Sequence, residues 1–170
     1  MLVIFAGFSS VGFAQTAPNC DTVTYTITNG QKEIDTLDKL QCIRADLSAN
    51  YILTQDIDAS DTQFWNGGAG FIPIGGVSGG TIIEFVGSFD GNGHQISNLH
   101  INRPNTERVG LFGRARPGSS SAIENVRLTN VNMTGQNLVG PVVAQLYGTL
   151  RNVSTDGAIT ATGFGAGGVV

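Results

Sequence analysis

Asp56, Asp58 and Asp61 are the densest acidic group in this chain, and His94, close behind Asp90, is the imidazole placed to act as a base or a ligand. Residues i and i+2 of a strand point to one face, so Asp56 and Asp58 stand side by side. Several carboxylates converging on one face are what acid–base cleavage of a polysaccharide requires. The remaining acids are dispersed, and none recurs at a spacing that would place it opposite this pair. Asp56 and Asp58 therefore read as a solvated strand face. Asp90-Gly91-Asn92-Gly93 reads as a tight turn needing positive φ at its glycines and asparagine, which leaves His94 incidental. The segment has the spacing of neither the EF-hand nor the nonapeptide calcium repeat. Gly-x-Ser-x-Gly, His-Glu-x-x-His and phosphate-binding loops do not occur. The expectation is a chain with no catalytic residue, no metal ligand and no cofactor.

Charge narrows the partners. The net charge is −4 with 13% charged residues, so there is no basic stripe and nucleic acid is not an expected partner. Arg103, Arg108, Arg114 and Arg116 lie in mostly polar surroundings and are the candidate surface contacts, with a solvated face as the plainer reading of each. Asn132-Met133-Thr134 and Asn152-Val153-Ser154 match the glycosylation sequon.

The elements that must position these residues follow from a repeat. Ile96-Ser97-Asn98-Leu99, Ile123-Glu124-Asn125-Val126 and Leu150-Arg151-Asn152-Val153 share a pattern at equal intervals, since 123 − 96 = 27 and 150 − 123 = 27. Such an interval, rich in Val, Ile, Thr and Gly and without a 3.6-residue amphipathic period, predicts an all-β fold. The expectation is a right-handed parallel β-helix whose coils of about 27 residues stack about 4.8 Å apart. Asn98, Asn125 and Asn152 would form one ladder at a corner, because asparagine tolerates a left-handed backbone and its amide can bond an identical amide on the next coil. Replacing Asn125, the central rung, by leucine should then cost more stability than replacing Asn130. Twenty-four glycines among 170 residues, against the usual share of about 7%, suit tight corners. Thr36 to Ile43 places leucines at i and i+3 behind a capping Thr36 or Asp35, which predicts one short helix lying as a lid over the first coil.

Met1 to Ala14 carry no charged side chain and lead into Gln15-Thr16-Ala17-Pro18, the form of a hydrophobic core and cleavage zone. As a helix this stretch would span about 21 Å, too short for a bilayer core of about 30 Å. The predicted organisation is a signal peptide over 1–17, an N-terminal cap over 18–50 and the β-helix over 51–170. Export implies a secreted or cell-surface location, and in that setting Cys20 and Cys42 are expected to form a disulfide that pins the N-terminal segment to the lid helix.

From Phe85-Val86-Gly87-Ser88-Phe89-Asp90-Gly91-Asn92-Gly93-His94 through the Asn98 tetrapeptide to Val109-Gly110-Leu111-Phe112-Gly113, the chain resembles bacterial surface proteins with GLUG repeats. The resemblance spans roughly Phe71 to Val170 and implies a filamentous-haemagglutinin-like adhesin or the β-helix region associated with a protease. Where that family tends to have Val-Gly-Gly-Leu-Val-Gly, this chain has Val139-Gly140-Pro141-Val142-Val143-Ala144. The last copy, Ala166-Gly167-Gly168-Val169-Val170, stops inside the motif, so the chain is expected to be the N-terminal part of a longer protein. The expected function is adhesion or surface display without chemistry, toward a host or environmental surface ligand such as a glycan, with end-to-end association through an open C-terminal coil. The alternatives are a polysaccharide-active lyase or hydrolase and a spacer for a downstream protease domain.

Overall fold

The computed structural model describes residues 15–118 and 121–168. The expected signal segment lies outside them up to Ala14. Just past it, Gln15 forms a parallel bridge to Trp65.

Thirteen short strands, one α-helix and four short 3-10 helices appear among the described residues. In chain order the strands and the α-helix are β1 (Ile27–Thr28), β2 (Gln31–Ile34), α1 (Leu37–Cys42), β3 (Asn50–Leu53), β4 (Ile57–Asp58), β5 (Gly76–Ser78), β6 (Thr81–Ile83) and β7 (Phe89–Asp90). They continue as β8 (Gln95–Ser97), β9 (His100–Asn102), β10 (Ile123–Glu124), β11 (Arg127–Gly135), β12 (Leu150–Arg151) and β13 (Ser154–Ala161). A six-stranded sheet runs β1-β2-β3-β7-β10-β12, and a five-stranded sheet runs β13-β11-β8-β4 with β9 also paired to β11. Strands β5 and β6 form a separate antiparallel hairpin. Single-residue parallel bridges, Ile74 to Phe112 to Val143 and Val109 to Val139 to Ala166, tie the remaining segments together.

This arrangement corrects the expected uniform parallel β-helix. The sheets are mixed, with β1 antiparallel to β2 and β5 antiparallel to β6, and short helices interrupt them. The register departs from a constant 27 as well. Ile123 does pair with Leu150, but its other neighbour is Phe89 (123 − 89 = 34), and Ile96 pairs with Leu128 (128 − 96 = 32). Ile96 sits in β8 of the five-stranded sheet and Ile123 in β10 of the six-stranded one. The interval between them is therefore a coincidence of loop lengths. A count of residues along the chain reports proximity only where the intervening turns have equal length.

The core is one cluster running from Ile34, Leu40 and Ile43 to Val139, Val142 and Val143. Tyr25, Tyr51, Phe85, Phe112 and Phe89 form its aromatic file, with successive ring centroids 4.8 to 6.2 Å apart. It crosses the expected boundary between cap and body, because Asn50 and Tyr51 both belong to β3, which pairs along its whole length with β2. Toward β12 and β13 burial fades: Leu150, Val153, Ile159 and Ala161 only pack against the cluster partly buried. Helix α1 starts where expected, since the Thr36 hydroxyl accepts the Lys39 N–H, and it turns Leu40 and Cys42 inward.

Candidate binding face

Among the described residues seven asparagines hold positive φ, including Asn98 at 60°, Asn125 at 55°, Asn130 at 51° and Asn152 at 46°. Asparagine enters this region at low cost, and each of these four stands where a strand ends or bends. Between the paired positions Ser97–Thr129 and His100–Asn132, Asn98 falls opposite Asn130. The Asn130 amide donates to Asn98 Oδ1 at 2.7 Å, and the Asn98 amide donates to Asp58 Oδ1 at 2.9 Å. On the far side, β13 has one residue fewer than β11 at the bend, and Asp156 Oδ1 accepts the Asn130 backbone N–H at 2.6 Å.

A second file lies in the six-stranded sheet. Asn152 donates to Asn125 Oδ1 at 2.7 Å, and Asn125 donates to Asp90 Oδ1 at 2.8 Å. The single expected ladder of Asn98, Asn125 and Asn152 is thus corrected to two files, and Asn98 belongs with Asn130. Both files end on a carboxylate, which accepts without having to donate.

The acids singled out for chemistry are held in structural bonds. Asp58 keeps its carboxyl below the usual range through the Asn98 amide and then the Ser60 N–H. Asp56 is likewise lowered, first by the Gln95 N–H and then by His94, whose Nδ1 lies 3.2 Å away. The Asp90-Gly91-Asn92-Gly93 turn takes the expected positive φ at Asn92 and Gly93 but not at Gly91; Asp90 Oδ1 accepts the Asn92 N–H, and the His94 N–H donates to the Gly91 carbonyl at 2.8 Å. Gly91 is required there, since a Cβ would stand 2.0 Å from the Asn125 carbonyl oxygen. Among the described residues no cluster of three His, Cys, Asp or Glu side chains is placed to hold a metal ion.

The arginines are more engaged than a solvated face implies. Arg114 is buried, with Nε 2.6 Å from Glu84 Oε1, and it shares Gln145 Oε1 with Arg108, each at 2.7 Å. Arg114 and Arg116 both lie 4.9 Å from the Tyr147 ring. Arg103 donates to the carbonyls of Phe71 and Gly70. Cys20 and Cys42 are bonded, with Cα atoms 5.2 Å apart, and tie the first described segment to the end of α1.

Two polar hollows open on the asparagine corners. One, of about 440 Å³, is lined by Ser60, Gln63, Asn98, His100, Asn130 and Asn132. The other, of about 430 Å³, takes in His94, Asn125, Arg127, Asn152 and Ser154. Sequence patterning pointed to Asn98, Asn125 and Asn152, and to Asn132 only within a sequon, but not to Ser60, Gln63, His100 or Asn130, which reach the site through pairing between distant segments. The alternation of Asn130 and Asn132 along β11 is the one local signal that both face outward.

No protein family matches this chain, and no solved structure matches it. It is 47% identical over 133 residues to halomucin of Haloquadratum walsbyi, covering 75% of this chain and 1% of that protein. It is also 33% identical over 165 residues to a protein of Evansella cellulosilytica described as a Gly-rich membrane protein, covering 92% of this chain and 18% of that one. The chain thus spans a small part of the length of both relatives. Among the described residues no helix is long and apolar enough to cross a membrane.

Proposed function

We propose that this chain is a non-catalytic module of a surface or membrane-associated protein, and that it serves adhesion by presenting a polar sheet face. One observation carries the reading: the outward corners offer amide and hydroxyl groups in open hollows, while Asp56, Asp58 and Asp90 are committed to bonds within the fold. A hydrolase or lyase would need such carboxylates free and facing a substrate. The description of the Evansella relative as a membrane protein agrees with this reading.

The test is antibody labelling of cells that express the full gene. Labelling of intact cells is the expected result, and labelling only after permeabilisation overturns the surface assignment. Release of reducing ends from polysaccharide by the purified chain would overturn the non-catalytic part.

A further inference from the structure

We propose that the hollow formed by Ser60, Gln63, Asn98, His100, Asn130 and Asn132 binds a neutral polysaccharide chain through its hydroxyl groups. This deepens the adhesion reading and rests on it, by naming the ligand class that one face of the module would take.

The floor of the hollow is prearranged. Asn98 and Asn130 are fixed by the file that ends on Asp58, so their amides are oriented before any ligand arrives. Each amide uses one of its two N–H groups in that file, and Asn130 Oδ1 has no hydrogen-bond partner among the described residues. The walls are equally ready. Asn132 is exposed, and neither its side chain nor the His100 ring has a hydrogen-bond partner among the described residues. His100 and Asn132 are direct neighbours across β9 and β11, about 4.8 Å apart, which is comparable to the width of one sugar ring.

The chemistry of the lining selects the ligand. No Lys, Arg, Asp or Glu lines this hollow, in contrast to the other, which contains Arg127. A hydroxyl group both donates and accepts, and amide, hydroxyl and imidazole groups together supply both roles. A carboxylate or sulfate ligand would find no cation here, and an apolar ligand would leave these groups unpaired at a cost. The volume of about 440 Å³ lies within the size range of small-molecule sites, and the open form lets a chain pass across instead of ending inside.

The experiment is affinity electrophoresis of the purified, disulfide-bonded chain through gels containing amylose, dextran, laminarin, hydroxyethyl cellulose or glycol chitin, with alginate as the anionic comparison. Retardation by at least one neutral polymer and not by alginate is expected. The double variant His100→Ala/Asn132→Ala should weaken that retardation at least tenfold without lowering Tm, because neither side chain has a bond within the fold, while Asp38→Ala on the exposed face of α1, away from both hollows, should leave it unchanged. No retardation by any neutral polymer, retardation by alginate alone, or full retention of binding by the double variant would overturn the proposal. Those outcomes with intact-cell labelling preserved refute only the ligand; labelling confined to permeabilised cells refutes the adhesion reading itself.

Discussion

The side-chain amide of Asn130 donates to Oδ1 of Asn98 at 2.7 Å, and Asn98 donates onward to Asp58, so the file runs in one direction across the sheet. A middle rung must both give and take a bond, and the last must only take. Asparagine meets the first condition and aspartate the second. The Asn152, Asn125 and Asp90 file obeys the same rule in the other sheet.

Asn125→Leu is therefore expected to cost more stability than Asn130→Leu, by about 1 kcal/mol. Asn125 both donates to Asp90 and accepts from Asn152, whereas the Asn130 side chain only donates, to Asn98, and each substitution forces leucine into a positive φ, 55° and 51° respectively. The order rests on the middle place of Asn125 in its own file and not on a ladder shared with Asn98. Urea midpoints measured side by side check it, and equal midpoints for the two variants would contradict the two-bond role of Asn125.

Asp46 makes the fold sensitive to acid. Its carboxyl is held down at about 2, first by the Lys32 ammonium and then by Ser48, and Lys32 Nζ in turn sits 5.1 and 5.8 Å from the Tyr25 and Tyr51 ring centroids. A depressed carboxyl contributes stability that is complete above its unfolded value of about 3.9 and is lost as pH falls through about 2. Because the Asp46 side chain is 41% exposed, screening limits the gain to under about 1 kcal/mol. Asp46→Asn should lower Tm at pH 5 and narrow its difference from the parent chain at pH 2.5, as read by thermal circular dichroism.

Local features were legible in the sequence and pairings were not. Thr36 and the leucines of α1 act within one turn, so the helix and its cap could be read directly. The Cys20–Cys42 bond followed from compartment and count. The asparagines were recognisable by type, because a left-handed corner restricts the residues that fit. Their partners were hidden: Asn98 meets Asn130 across a loop that differs in length from the one joining Asn125 to Asn152, and Ile96 and Ile123 share an interval but not a sheet. Likewise the burial of Arg114 depends on Glu84 and Gln145, each about thirty positions away, which no local pattern announces.

The Cys20–Cys42 bond spans 22 positions and should contribute about 3 kcal/mol by restricting the unfolded chain. Reduction is expected to lower the urea midpoint of the parent chain and to leave Cys20→Ser/Cys42→Ser unchanged. A midpoint insensitive to reductant in both proteins would mean that the constraint adds nothing.

Gln41 carries the most demanding polar contact of the core. It is fully buried, and its amide makes both available bonds with one backbone unit: Nε2 donates to the Ile72 carbonyl at 2.9 Å and Oε1 accepts the Ile72 N–H at 2.8 Å. The side chain thus completes a segment that has no strand beside it at that point, joining α1 to the run that leads into Phe71 and Ile74. Gln41→Leu fills similar volume but strands two backbone groups, and should cost about 2–3 kcal/mol. Gln41→Glu keeps an acceptor for the Ile72 N–H and loses the donor to its carbonyl, while placing a charge in the core. Its loss should therefore exceed that of Gln41→Leu at pH 7 and shrink as the pH is lowered and the carboxyl protonates. Amide hydrogen exchange separates this contact from general loosening. Ile72 N–H should lose protection in Gln41→Leu well before Phe89 in the adjoining sheet does, and uniform loss across both would place the contribution of Gln41 in packing alone.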